Sequence, residues 1–259
     1  MTSSHDAGPT SAPDHAAHPQ HGDGHSHGAA RLSGDGHTHG DGHVHDDAFT
    51  SGHVVGTRPG EAEWDARYGE NASGIWSGAP NHALTIEAGG LPPGRALDIG
   101  CGEGADAVWL AGQGWAVVGL DPSGVALDRA RAAAEAKGVD VRWVHAELAD
   151  AADDLADGAF DLVSAFYPTL FTDTNPLPTL ARLVAPGGSL LVVHHADVDR
   201  DRARAHGFDP EELLSPADVA AGVGAGWTVE VDERRPRVIE GGAGAHHSDD
   251  LVVRVRRDA

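Results

Sequence analysis

The stretch Ala96-Leu97-Asp98-Ile99-Gly100-Cys101-Gly102-Glu103-Gly104 constrains this chain more than any other. An apolar strand ends in an acid, turns on glycines and leads into a helix. A second strand, Trp115 to Leu120, ends in Asp121. Glycine lets backbone N–H groups approach a ligand where a Cβ would clash. An acid closing the second strand can accept both hydroxyls of a ribose. Together these features predict a site for an adenosine. Asp98 narrows the ligand further. A carboxylate there repels a pyrophosphate but suits the cationic sulfonium and amino group of S-adenosylmethionine (SAM). Gly100-x-Gly102-x-x-Ala105 also satisfies the dinucleotide fingerprint, which keeps an NAD(P)-dependent oxidoreductase as an alternative. Asp98 and the lack of a second domain for a hydride acceptor weigh against it.

The elements around this turn predict an α/β fold. Residues 61–68 and a segment from Pro80 to Gly89-Gly90 read as helices before the first strand. Helices are expected over 104–112 and from Ser123, as N-cap, to Gly138. Further strands are expected at Val141–Ala146, Phe160–Phe166 and Ser189–His195. Between the last two lie a helix, Leu177–Val184, and an Ala185-Pro186-Gly187-Gly188 turn. Strands alternating with helices at this spacing mean a doubly wound, mostly parallel sheet, here of seven strands and Rossmann-like. Ser215-Pro216-Ala217-Asp218 starts a last helix. Trp227–Arg234 and Leu251–Arg256 alternate apolar with polar, so the sheet should end in an antiparallel pair. Asp197 to Leu214 reads as irregular.

Residues 1–60 differ from the rest. They hold 11 of the 18 histidines and almost no large apolar side chains, so burial cannot offset their ordering entropy and disorder is expected. The motif Gly-Asp-Gly-His-x-His begins at Gly22, Gly34 and Gly40. His25 with His27, His37 with His39, and His43 with His45 can each chelate a divalent zinc, nickel, cobalt or copper ion. A metal-buffering or metal-sensing protein is therefore a second reading. Residues 61–259 read as the globular domain, with 61–90 as an N-terminal cap.

The net charge of -22, with Asp and Glu 40 against Lys and Arg 18, argues against a nucleic-acid partner, which needs clustered cations. No apolar run reaches the length of a membrane span. With one cysteine and no readable signal peptide, the expected compartment is the cytoplasm. Monomer and dimer stay open.

These features resemble a class I SAM-dependent methyltransferase. Leu97 to Gly104 resembles the family's acid-x-Gly-x-Gly-x-Gly motif, and Asp121 its ribose acid. Ala146-Glu147-Leu148 resembles the adenine-contacting segment, with Glu where Asp is common. Phe160-Asp161-Leu162-Val163 resembles the fourth strand, after which Ala165, Phe166 and Tyr167 open the active site. Trp64-Asp65-x-Arg67-Tyr68 and Trp76-Ser77-Gly78-x-Pro80-Asn81 resemble the cap of the thiopurine S-methyltransferase and tellurite-resistance methyltransferase group. The resemblance implies a cofactor site of Trp76, Asp98, Gly100, Cys101, Gly102, Gly104, Asp121, Pro122, Ser123, Glu147, Leu148 and Ala165. It also implies a small-molecule methyl acceptor, a thiol or chalcogen compound.

For an acceptor that needs a base, the candidates are His194 and His195 at the end of the fifth strand, with Tyr167 to orient it. Adjacent strand residues face opposite ways, so at most one histidine lines the pocket. Asn81 is expected to position the cap or bind a carboxylate. His246 and His247, in a glycine-rich loop, read as substrate contacts, as members of the metal-binding set or as residues without a role. Arg200, Arg202 and Arg204 read as a solvated charged loop or as an attractor of anions.

Overall fold

The computed structural model describes residues 58–205, 209–239 and 241–259. Seven strands form one sheet in the order β3-β2-β1-β4-β5-β7-β6. Two helices precede it, α1 (Glu61–Glu70) and α2 (His82–Ala88). Then come β1 (Arg95–Ile99), α3 (Ala105–Gly112), β2 (Ala116–Asp121), α4 (Gly124–Lys137) and β3 (Val141–His145). The second half runs α5 (Leu148–Ala151), β4 (Phe160–Phe166), α6 (Pro176–Leu183), β5 (Val184–His195), α7 (Arg200–Ala205), α8 (Pro216–Gly222), β6 (Trp227–Pro236) and β7 (Asp249–Arg257).

The first five strands pair in parallel, and β7 pairs antiparallel with both β5 and β6. This is the expected doubly wound sheet with an antiparallel end. β1 and β4 are apolar on both faces because helices cover both. Leu97, Ile99, Val163, Val192 and Val253 pack towards α5, α6 and α8. Ala96, Leu162, Leu191 and Val252 pack towards α2 and α3. The edge strand β6 carries Glu230, Asp232, Glu233 and Arg234, and such charges discourage pairing with another chain.

Two expectations need correction. The Ala185–Gly188 turn is built into β5. The register slips between Phe160 and Leu162, and Pro186 and Gly187 bulge out to solvent. Gly188 is needed there because a Cβ would sit 3.0 Å from the carbonyl oxygens of Phe160, Asp161 and Ala185. Second, the segment 197–214 is not irregular throughout. It holds α7 and a short 3-10 turn, Pro210–Glu212, tied by Arg200 to Glu211 and by Arg204 to Asp209 at 2.9 Å. Those two arginines are spent on local acids. Arg58 bonds Asp173 at 2.6 Å and lies over the Phe171 ring. The expected tail histidines, His25, His27, His37, His39, His43 and His45, lie outside the described residues.

Parallel strands put all their C-terminal ends at one edge. β7 runs the other way, so its first residues join them there. That edge carries the glycine elbow, the ends of β2, β4 and β5, and the start of β7.

Candidate active site

The elbow is stitched down before any ligand is considered. The Gly100 and Cys101 amides both donate to the Leu120 carbonyl, at 2.8 and 3.1 Å. Gly100, Gly102 and Gly104 all have positive φ, a region that β-carbons disfavour. Cys101, partly exposed as a residue, packs its thiol against Gly119, and desolvation with the neighbouring Asp98 pushes the thiol's pKa well up, which disfavours the thiolate.

Asp121 is buried and accepts from two backbone amides, Gly102 at 2.8 Å and Ser123 at 2.9 Å. Each oxygen keeps a lone pair for a ligand hydroxyl. Asp98, 2% exposed, accepts from Ser164 Oγ at 3.0 Å through one oxygen, while its Oδ2 is buried with no partner. Burial and the neighbouring Asp106 push its carboxyl well above the usual range. A buried acid with an unpartnered oxygen suits a cationic ligand group, which would pull that pKa back down. These residues fit SAM: Asp121 at the ribose, Asp98 at the amino group and the elbow amides between them.

The other predicted cofactor residues divide. Glu147 is the exposed N-cap position of α5, its pKa raised by desolvation and by the neighbouring Asp121, and Leu148 is buried beside it. The Pro122 carbonyl lies 2.8 Å from His145 Nε2. The Ser123 hydroxyl is fully spent: it caps α4 through the Ala126 amide and donates to Asp65 of α1 at 2.6 Å. Ala165 is wholly buried in the core, paired with Ile99 and Val192, so it does not open onto the cleft.

Glu103 ties the Ile75–Trp76 part of the cap over the elbow. Glu103 accepts from the Ile75 and Trp76 amides at 3.1–3.2 Å and from Arg129 at 2.6 Å. Arg129 also reaches the Tyr68 and Asn71 carbonyls, at 2.6 and 2.7 Å. Trp76 thereby lies against the elbow, its Nε1 donating to Tyr68 Oη at 3.0 Å. A Cβ on Gly102 would fall 2.9 Å from that hydroxyl. Asn81 proves to be a positioning residue. Its backbone and side-chain amides both donate to Asp106 at 2.7 Å, which fixes α2 to α3. Glu103→Ala will leave the Ile75 and Trp76 amides unpartnered and strip Arg129 of its carboxylate, though not of its two backbone carbonyls, at a cost of about 2 kcal/mol. The check is faster amide exchange over 61–88 and a KM for SAM raised roughly tenfold or more.

The two histidines ending β5 face opposite ways. The His194 ring bonds the backbone of Leu214 on the α6–α8 face, and its buried Nε2 has no partner. Burial lowers its pKa to about 4. His195 faces the α2–α3 side with Tyr167. The Tyr167 hydroxyl donates to Asp250 at 2.9 Å, and Arg237 Nε donates to the same hydroxyl at 3.2 Å. Tyr167 has φ 51°, a strained value for an aromatic residue and one that tertiary contacts must hold. The His247 ring stacks on His195 at 3.9 Å, and His246 leans on His247 at 4.0 Å. Asp250 and Arg237 were not legible as site residues, and His247 was legible only as one of several possible contacts. They sit on the last hairpin, far along the chain from the glycine motif, and only the β5–β7 register brings them in. A cavity of about 400 Å³ adjoins them, lined in part by Pro80, Asn81, Arg237 and Asp250.

Among the described residues, no group of three or more His, Cys, Asp or Glu could hold a metal ion. No helix among them is long and apolar enough to cross a membrane.

A seven-stranded sheet in this order, with an acid-ended first strand and a glycine elbow under a cap, defines a Rossmann-like nucleoside-binding enzyme. Residues 96–188 match the family described as "Methyltransferase domain". A solved structure from work on converting a disulfide bond into a thioacetal group during echinomycin biosynthesis superimposes with a TM-score of 0.59. It is 30% identical over 76% of this chain and 92% of that one. The chain belongs to the class I SAM-dependent methyltransferases. It is also 37% identical over 106 residues to tRNA 5-carboxymethoxyuridine methyltransferase from Escherichia coli (strain K12), which is 39% of this chain and 40% of that protein. It is 42% identical over 69 residues to probable thiol methyltransferase 2 from Arabidopsis thaliana, 27% of this chain and 30% of the relative. The chain therefore spans well under half the length of these two relatives.

Proposed function

We propose that this protein transfers a methyl group from SAM to a small-molecule acceptor whose nucleophile is sulfur or a heavier chalcogen. The observation that carries the cofactor half is the buried Asp98, with an unpartnered oxygen, beside an elbow whose amides Asp121 already orders. When bound, SAM supplies an electrophilic methyl on a cationic sulfur. The protein's part is alignment and exclusion of water. Asp121 holds the ribose, Asp98 the amino group, and Glu147 and Leu148 border the adenine. Trp76 and Tyr68 cover the elbow. The acceptor enters where β4, β5 and β7 end, beside Tyr167 and His195.

Two relatives support a sulfur acceptor. The structure 30% identical to this chain comes from disulfide-to-thioacetal chemistry, and the plant relative is named a thiol methyltransferase. The tRNA-modifying relative supports a second reading, a nucleic-acid acceptor. A net charge of -22 weighs against that reading, because phosphate binding needs an excess of clustered cations and here Asp and Glu, 40, outnumber Lys and Arg, 18. Residues 1–60 serve in this proposal as a divalent-metal-binding tail, and the enzyme works in the cytoplasm.

The test is calorimetry with S-adenosylhomocysteine, followed by a methyl-transfer screen of the full chain. Acceptors are thiols, selenite, tellurite, small phenols and tRNA, each with and without zinc. Binding of S-adenosylhomocysteine with turnover of a thiol or chalcogen is the expected result. Failure to bind it overturns the cofactor assignment, and turnover of tRNA alone replaces the acceptor.

A further inference from the structure

We propose that His195 is the general base that deprotonates a thiol acceptor, and that Asp250 is its positioning residue. This rests on the methyl-transfer reading above and extends it to named atoms.

The arrangement follows from strand register. His195 and Asp250 are directly opposed across the antiparallel β5–β7 pair. Opposed residues share a face and lie close enough to touch. His195 Nδ1 lies 3.3 Å from Asp250 Oδ1. A carboxylate only accepts, so this contact places the ring proton on Nδ1 and leaves the Nε2 lone pair free. Among the described residues none hydrogen-bonds Nε2, which lies beside the Gly244 backbone, where an added Cβ would fall 3.4 Å from it, and the side chain keeps 18% of its surface open.

Both faces of the ring are covered. Tyr167 stacks on one at 4.1 Å and 23°, and His247 on the other at 3.9 Å and 15°. An imidazole held between two rings and hydrogen-bonded at one nitrogen has one orientation. Asp250 is itself fixed. It is 5% exposed, accepts from the Tyr167 hydroxyl at 2.9 Å and lies 3.8 Å from Arg237 Nε. Arg237 is anchored in turn to the Gly244 carbonyl. The strained Tyr167 backbone belongs to this same assembly. A buried acid that fixes a histidine tautomer is a recurrent way to present a base.

His194 has the opposite geometry, its ring spent on the Leu214 backbone on the far face. The unpartnered Nε2 of His194 therefore faces away from Tyr167 and Asp250. The groups facing His195 are Tyr167 from the turn after β4, Asp250 on β7, and Arg237, Gly244, His246 and His247 from the β6–β7 loop, while His194 points to the other face of β5. Burial lowers the His195 pKa, Asp250 raises it and Arg237 lowers it. The net shift is downward, so the ring is neutral and able to accept a proton at neutral pH.

In the step, the acceptor's S–H proton passes to His195 Nε2. The sulfur lone pair forms the new S–CH3 bond, and the old bond from methyl to sulfonium breaks. Its electron pair stays on the departing thioether, S-adenosylhomocysteine. The imidazolium then returns its proton to water. An alkanethiol, with a pKa of about 8.5 or above, needs this help at neutral pH, whereas a nitrothiophenol is already ionised.

The experiment compares the two thiols in the full chain and in His195→Gln and Asp250→Asn. The expected result for His195→Gln is a loss of about 10²–10³-fold in kcat/KM for the alkanethiol and under about threefold for the nitrothiophenol. Asp250→Asn should lower kcat for the alkanethiol with little change in KM. The wild-type rate should rise with pH through a midpoint below 6.5, because the His195 pKa is lowered. Imidazole 15N NMR of the wild type should show the Nδ1-protonated form of His195, with that preference lost in Asp250→Asn. Calorimetric affinity for S-adenosylhomocysteine should be unchanged in both variants. Equal losses for both thiols, or none, would overturn the base while leaving the cofactor reading intact. Binding of S-adenosylhomocysteine with no thiol turnover in the wild type would do the same. No binding at all would remove both.

Discussion

Asp121→Ala will weaken S-adenosylhomocysteine binding by about 3 kcal/mol, roughly 150-fold, measured by calorimetry. The acid does two jobs. It accepts from Gly102 and Ser123, which shapes the elbow and the start of α4, and it offers its remaining lone pairs to the ribose. Alanine loses both, and leaves two buried amides without partners. Asp121→Asn keeps one carbonyl oxygen and should lose only about half as much free energy. An alanine variant within threefold of wild type would show that the sugar lies elsewhere.

Gly104→Val will cost about 4 kcal/mol of stability and lower Tm by roughly 10 °C in a domain of this size. Gly104 has φ +83°, where a branched side chain is strained. Its Cβ would sit 2.7 Å from Ala130 Cβ and 2.9 Å from the Trp143 ring, with no flexible side-chain end to give way. Gly112→Ala, in the same helix, is the contrast. A Cβ there meets nothing within 4 Å, so the change should be neutral or stabilising by about 0.5 kcal/mol. Thermal unfolding of both variants checks the pair. Equal Tm values would mean the elbow is not packed against α4 and β3 as described.

Part of this protein was legible because short-range rules decide it. The glycines from 100 to 104, the acids closing β1 and β2, the Ser123 and Ser215 caps and the apolar run of β4 all declare themselves within a few residues. Periodicity and turn chemistry act over that range, so the fold class and the elbow followed. The bulge in β5 did not. Pro186-Gly187-Gly188 reads as a turn, and only pairing with Phe160 and Leu162 keeps it inside a strand. Ser123 reads as a ligand contact, and only the approach of Asp65 from α1 consumes its hydroxyl.

The choice between His194 and His195 belongs to the same second class. A strand's alternation says that the two diverge, but not which face carries chemistry. The sequence by itself determined a sheet whose first strand ends in an acid and a glycine elbow, because strand periodicity, turn glycines and the acid's spacing are all read within a few residues. Tertiary structure alone decided that Asp250, Arg237 and His247 surround His195. Strand register across a hairpin brings distant residues within hydrogen-bond reach, and no local pattern records that register.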